Sequence, residues 1–574
     1  MFAPPLDFAT FLYLFVMFRN KQSILNSGLL TLVGAFPIAL FLSDFVDGSW
    51  SLHCWNAVIA AGITFLIVKE KTFQVKFNIK TFVIIWLLSI FHQTVIWGIK
   101  TFPLDDPQLI ILTLQLPLDG FTFIFIKSYV LKVLLSCLIT SFFISLLIEA
   151  LIEKYHRKKF LFTSTLIIFT IFNALEIYDS IPFSMYKVYL SNDNFILEES
   201  VFFKKNYISN DTISIQNNKS TKNLILIIME SIENSFVDSS LGGNQQTNLI
   251  PELLPVDSNE YHFSHNEHIG GGYNTIGTQL TISATVAKTT GIPVLVEHNF
   301  IDTLLEKVPS IYDFLHVFGY YNVFIQGTDA NFSGTKKFVL SHGIHTLYDM
   351  HSLKKQQDID EKYRNFRSFE AGITDRTILD ISKQILDSLS QKKHFSLTIA
   401  TIETHFPYGF YNKACEDKPR DFSEQASLEA TIRCASKDTR DFVNWVKQQP
   451  FYPNTEVIIV GDHLFMGDYL VDKNGKSRRW YDLFIAPAVK PNNTNREFTS
   501  FDMAPTIIES LGFSINNHKM GFGVSLFSNE STLVEKIGID TLNQELTNMK
   551  NSIEYNDISS PKRIDLSKKT ISPQ

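Results

Sequence analysis

Five apolar segments of membrane-spanning length fill the first 180 residues of this 574-residue chain, and they limit its fold more than any other feature. They run near residues 24–42, 52–68, 82–99, 129–148 and 160–177. A hydrocarbon core of roughly 30 Å takes about 20 helical residues to cross, so each is long enough for one span. The apolar stretch 8–18 has neither a basic n-region ahead of it nor a small-residue cleavage site and reads as an interfacial or partly inserted helix. Stretch 109–125 is broken by Pro117 and Gly120 and reads as lying along the outer interface.

Orientation follows from the basic residues. Arg19 and Lys21 precede the first span; Lys69, Lys71, Lys76 and Lys80 separate the second from the third; Lys154, Arg157, Lys158 and Lys159 separate the fourth from the fifth. These flanks are expected on the cytoplasmic side, and the other loops carry Asp44, Asp47, Asp105, Asp106 and Asp119. An odd number of spans then puts everything beyond about residue 180 outside the cytoplasm. Composition agrees with a greasy half joined to an ordinary one: 45% hydrophobic, 50 Phe, 19% charged. A net charge of -7 gives no reason to expect a nucleic-acid partner. Of four cysteines, Cys54 and Cys137 lie in apolar stretches, while Cys415 and Cys434 lie in the polar half, where an oxidising compartment favours a disulfide.

The second half changes rhythm. Residues 224–229, 321–325, 395–402, 455–460 and 483–486 are short aliphatic runs that read as buried strands, and 309–317, 373–389 and 427–448 have helical periodicity between them. Alternation of this kind predicts an α/β sheet covered on both faces, with its site at the carboxyl ends of the strands. Glu230, His405 and Asp462-His463 all follow strand runs. The expected domains are a transmembrane part at 1–180, a juxtamembrane linker at 181–221, a catalytic domain at 222–532 and a disordered polar tail at 533–574.

A carboxylate ending an apolar strand is costly to desolvate; a metal, an Arg partner or exposure each offsets that, and Glu230 alone does not choose among them. Asp462-His463 repeats the situation after Gly461. Together they suit one divalent cation. Thr278, in Gly277-Thr278-Gln279-Leu280-Thr281, reads both as a helix N-cap and as a hydroxyl that a metal activates, with Thr275 and Thr281 as decoys.

Met229-Glu230-Ser231, Gly277-Thr278 ahead of Gly291-Ile292-Pro293, Thr404-His405-Phe406-Pro407, Gly461-Asp462-His463-Leu464 and Asp502-Met503-Ala504-Pro505 occur in order. In this the chain resembles the membrane-anchored phosphoglycerol and phosphoethanolamine transferases of the alkaline phosphatase/sulfatase superfamily. Asp462-His463-Leu464-Phe465-Met466 and Ser341-His342-Gly343 lean toward the periplasmic-glucan phosphoglycerol transferases. The resemblance implies an N-terminal five-helix transmembrane bundle and an α/β/α sandwich of alkaline phosphatase/sulfatase type. It implies one divalent metal ion (Mn, Mg or Zn) on Glu230, Thr278, Asp462 and His463, with Thr278 as nucleophile and His405 near the transferred phosphate. Around Asn331–Thr335 the chain lacks the Trp and Arg with which lipoteichoic acid synthases grip glycerophosphate, leaving Lys336, Lys337, Arg478 and Arg479 as candidate cations, of which Lys336 and Arg479 are favoured.

The implied reaction moves phosphoglycerol from a membrane phospholipid donor to a hydroxyl of an extracytoplasmic glycan or glycolipid acceptor, through a phospho-threonine, at a bacterial inner membrane. Phosphoethanolamine transfer to lipid A or surface glycan, or hydrolysis by a sulfatase or phosphodiesterase, are the alternatives. A sulfatase would carry a modifiable Cys or Ser in a C/S-x-P-x-R setting, and Thr278 has no such setting.

Overall fold

The computed structural model describes residues 78–101, 129–155, 167 and, with short breaks, 198–559. These fall into two compact units, one from the N-terminal segments and one from residue 198 onward. In the N-terminal unit, helices α1 (Ile79–Thr101) and α2 (Ser136–Tyr155) pair, the second preceded by a π turn at Val130–Leu135. Thr81 Oγ1 donates to Glu149 Oε1 across the pair at 3.0 Å. Val83, Ile84, Leu87 and Phe91 of α1 remain exposed. The expected spans 82–99 and 129–148 fall on this pair, while 24–42, 52–68 and nearly all of 160–177 lie outside the described residues. Among the described residues, no helix is long and apolar enough to cross a membrane.

The larger unit is built on seven strands: β1 (Asn223–Met229), β2 (Glu260–Tyr261), β3 (Tyr321–Gln326), β4 (Thr346–Tyr348), β5 (Phe395–Ala400), β6 (Thr455–Gly461) and β7 (Asp482–Ile485). Their order is β2-β7-β6-β1-β5-β3-β4. The five strands from β6 to β4 are parallel, and β7 and β2 are antiparallel additions at one edge. A parallel sheet is covered on both faces, which is why β1 and β6 are buried throughout and aliphatic over Leu224–Ile228 and Val457–Val460. Successive residues serve opposite layers: Leu224, Leu226, Ile228, Ile458 and Val460 pack into one core, and Ile225, Ile227, Met229, Val457 and Ile459 into the other.

The first core is closed by helices α3 (Thr281–Thr290) and α6 (Met503–Ser510), the second by α4 (Asp375–Leu389) and α5 (Glu424–Lys447). Helix α3 is rich in Thr, a poor helix former, yet nine of its ten residues are buried. Its hydroxyls satisfy themselves inside the helix: Thr285, Thr289 and Thr290 donate to carbonyls of Thr281, Thr285 and Val286. Cys415 and Cys434 form a disulfide, with Cα atoms 6.0 Å apart.

Two segments flanking the expected catalytic domain carry ordered elements. The stretch 533–574 was expected to be a disordered polar tail, but its first part folds as α7 (Leu533–Ile537), α8 (Ile539–Met549) and α9 (Ile553–Ser559). Leu533, Val534, Leu542, Leu546, Met549 and Tyr555 are buried in the first core, so apolar spacing overrode the polar composition. The expected linker 181–221 is likewise partly structured: Ile215–Asn217 pairs antiparallel with Phe513–Ile515, and Phe203 is buried against Tyr207 and Phe522.

Candidate metal centre

Strand register brings the first two acids together. Ile228 lies beside Val460 and Met229 beside Gly461, so Glu230 and Asp462 leave adjacent strands side by side. Both keep the parity of the layer that α3 covers. Gly461 is required by close approach, since a Cβ there would stand 2.0 Å from Ile232 O. Just beyond Glu230 the chain turns through Ser231 at φ 55°, a strained conformation for a residue with a side chain. That turn lets Ser231 N donate to Asp462 Oδ1 at 2.7 Å and Ser231 Oγ to Glu230 Oε1 at 2.8 Å. Glu230 N donates to Thr401 Oγ1 at 3.0 Å, and Thr404 Oγ1 donates to Glu230 O.

His463 completes the cluster. Its Nδ1 donates to Leu464 O at 2.8 Å, which leaves Nε2 facing Glu230 Oε1 and Asp462 Oδ2, each at 3.4 Å. One ligand atom from each of Glu230, Asp462 and His463 falls within 4.8 Å of the others, and all three residues are buried. Burial pushes the Glu230 carboxyl up, as does Asp462, against the pull of His405 and His463. The His463 imidazole is pushed down by burial but raised more strongly by Asp462 and Glu230.

A divalent cation fits this donor set. Asp462 Oδ1 is satisfied by the N–H groups of Ser231 and His463, whereas Oδ2 is buried and accepts no hydrogen bond. Two carboxylates in one dry pocket repel, and a divalent ion relieves both the repulsion and the desolvation.

Of the expected ligands, Glu230, Asp462 and His463 converge, while the hydroxyl of Thr278 is engaged within its own turn. The hydroxyl of Thr278 closes a turn with Thr275, accepting from its N–H at 2.9 Å and donating to its carbonyl at 3.0 Å. The hydroxyl at the cluster is that of Thr281, the first residue of α3, which donates to Glu230 Oε2 at 3.0 Å and lies 3.4 Å from His463 Nε2. His405 stands within electrostatic reach of Glu230, with Nδ1 donating to Phe406 O at 2.6 Å. Lys336 is exposed. Arg478 is held by Glu233, donating to both carboxylate oxygens. Arg479 is buried with its guanidinium 3.4 Å from the centroid of the Tyr273 ring.

One functional candidate has no sequence signal at all. Lys288, on α3, is 1% exposed; its Nζ donates to Asp462 O at 2.7 Å and to Ser500 Oγ at 3.0 Å, and lies 3.9 Å from the Trp480 ring centroid. Burial lowers this ammonium to about 7, opposed by the Asp462 carboxylate. A second buried acidic set sits behind the β5 loop. Asp375 accepts from the N–H groups of Ile402 and Glu403, Arg376 grips Asp438 with both Nε and Nη2, and Glu403 is pushed well up by burial and by Asp375 and Asp438.

Known proteins give this geometry its context. The phosphoglycerol transferase I proteins of Salmonella typhi and Escherichia fergusonii are each 30% identical to it over 318 residues, covering 54% of this chain. The chain matches 39% of the length of those relatives. A solved alkaline phosphatase superfamily protein from Vibrio parahaemolyticus is 20% identical with a TM-score of 0.44, over 56% of this chain and 72% of that one. The family profile described as Sulfatase matches residues 222–513, which hold β1 through β7 and every residue of the cluster, and the chain belongs to that family.

Proposed function

We propose that this protein is a membrane-attached phosphotransferase that moves a phosphoglycerol head group from a phospholipid to a hydroxyl of an extracytoplasmic glycan or glycolipid. The observation that carries the reading is the hydroxyl of Thr281, 3.0 Å from Glu230 Oε2 at the start of a buried helix and beside an imidazole. The similarity to proteins named phosphoglycerol transferase I supports the choice of head group.

A divalent cation (Mn, Mg or Zn) held by Glu230, Asp462 and His463 would lower the pKa of a neighbouring hydroxyl and stabilise charge on phosphoryl oxygens. The rest falls to side chains of this chain. Thr281 Oγ1 attacks phosphorus while its proton passes to Glu230, with which it is already hydrogen-bonded. The bond from phosphorus to the diacylglycerol oxygen breaks, and that oxygen takes a proton, for which His405 is the donor at hand. The head group remains on Thr281 as a phosphodiester until an acceptor hydroxyl displaces it. The free N–H groups at the start of α3 and its dipole favour the anion in both states.

Attachment to a membrane is part of the reading. The apolar segments of the first 180 residues and the exposed Val83, Ile84, Leu87 and Phe91 support it. The Cys415–Cys434 disulfide supports an oxidising, extracytoplasmic setting for the catalytic domain. The test supplies the full chain with phosphatidylglycerol or phosphatidylethanolamine labelled in the head group. Label on the protein and release of diacylglycerol from phosphatidylglycerol are expected; label from phosphatidylethanolamine alone would replace the head group, and no label from either would overturn the transfer.

A further inference from the structure

Helix α3 touches the metal centre at two places. Thr281 and Lys288 are seven residues apart, two turns of an α-helix, so they share one face. The first reaches His463 Nε2 at 3.4 Å and the second reaches the backbone carbonyl of Asp462 at 2.7 Å. Consecutive residues of the β6 turn are thereby held by one rigid rod about 10 Å long between its contacts. Lys288 also donates to Ser500 Oγ, and its remaining face is covered by the Trp480 ring. A buried ammonium bonded to a carbonyl and a hydroxyl rather than to a carboxylate is an expensive way to hold a loop. The negative charge of the Asp462 carboxylate favours the ammonium and offsets part of that cost.

We propose that Lys288 is a positioning residue for phosphoryl transfer: it fixes the Asp462-His463 turn relative to the hydroxyl of Thr281, acting through the Asp462 carbonyl and not on substrate. This rests on the reaction proposed above. Ligands reach only as well as their supports hold them, and loss of an outer partner of a metal ligand typically lowers activity or metal affinity about 10–100-fold. A displacement of one ligand relative to the attacking oxygen is felt in the chemical step rather than in donor binding.

The experiment compares Lys288→Met, Ser500→Ala and Thr281→Ala in the full-length protein, with phosphatidylglycerol as donor at saturating Mn²⁺. Lys288→Met keeps the length and apolar stem but loses the donor; kcat is expected to fall about 10–100-fold with KM little changed. Ser500→Ala leaves the bond to Asp462 in place and, with activity counted per folded molecule, is expected to lose kcat by a few fold only; a loss as large as that of Lys288→Met would overturn the role of the Asp462 carbonyl. A Lys288→Met protein whose kcat per folded molecule stays within twofold of the parent, even with a lowered Tm, would make Lys288 a merely structural residue and end the proposal. Thr281→Ala keeps the two questions apart: if it remains active the transfer mechanism itself fails, whereas an inactive Thr281→Ala beside a normal Lys288→Met refutes only the positioning role.

Discussion

Two buried acidic sets lie at the carboxyl ends of neighbouring strands, and they are built to opposite ends. In the first, Glu230 and Asp462 converge on the Nε2 of His463 and one oxygen, Asp462 Oδ2, accepts no hydrogen bond. In the second, Asp375 is satisfied by two backbone N–H groups and Asp438 by a two-pronged guanidinium, and no imidazole enters. Acid density is therefore not what marks the reactive place. What marks it is convergence of unlike donors on one point and a hydroxyl aimed at the same carboxylate; an open acceptor alone does not, since Glu403 Oε1 of the second set is also buried without a hydrogen bond. The second set pins α4 and α5 to the β5 loop that carries His405 and so serves the first as a support.

The largest predicted effect breaks the first set. Asp462→Asn or Glu230→Gln should lower transfer by at least about 10³-fold, comparable to loss of a member of an interdependent catalytic group, and should abolish stoichiometric metal in the purified protein. Elemental analysis beside the transfer assay checks this; activity without bound metal would contradict it. Chelation should stop the parent enzyme and lower its Tm, since a ligand at 100 times its Kd stabilises by about 2.7 kcal/mol, and added Mn²⁺ should restore both.

Next comes the choice of hydroxyl. Thr281→Ala should be inactive, while Thr278→Ala, which opens a buried turn, should lose about 1 kcal/mol of stability and retain activity. Breaking the second set should show the reverse pattern from the first: Arg376→Leu strips Asp438 of its partner and is expected to cost about 1–2 kcal/mol with activity per folded molecule preserved. Chemical denaturation and specific activity measured on the same sample separate the two.

A separate effect lies away from both sets, at Glu456 on β6, whose burial pushes its carboxyl from 4.5 up to about 8. The folded state keeps a proton that the unfolded chain releases above about pH 4.5, so this group's stability is complete below that pH and is lost as pH rises toward 8. Glu456→Gln should therefore gain Tm relative to the parent at pH 9 compared with pH 5. A Tm difference independent of pH would show that Glu456 is ionised in the fold.

Much of this was legible in the chain. The strand runs ending at Glu230 and Asp462 were apparent because a parallel sheet buried on both faces demands uninterrupted aliphatic residues, and register then forces the two acids together. The edge strands Glu260–Tyr261 and Thr346–Tyr348 were not, being too short to show a period. Thr278, just ahead of an apolar-periodic segment, reads as a helix N-cap, and the sequence alone does not separate it from Thr281. The structure uses that hydroxyl to close the turn, and the helix begins three residues later, a distinction made by the position of Glu230 in space. Leu542, Leu546 and Met549 lie at helical spacing and were the available signal for the ordered C-terminal helices, hidden by polar neighbours. Lys288 gave none, since a lysine reads as solvated until the fold buries it.

The most direct test of the central claim is to map the modified residue. The full-length protein is incubated with Mn²⁺ and phosphatidylglycerol, quenched in acid, digested and sequenced by mass spectrometry. Glycerophosphate is expected on Thr281, absent when Asp462→Asn is used in its place; glycerophosphate on Thr278, or on any residue outside the Glu230–Asp462–His463 cluster, would contradict the account.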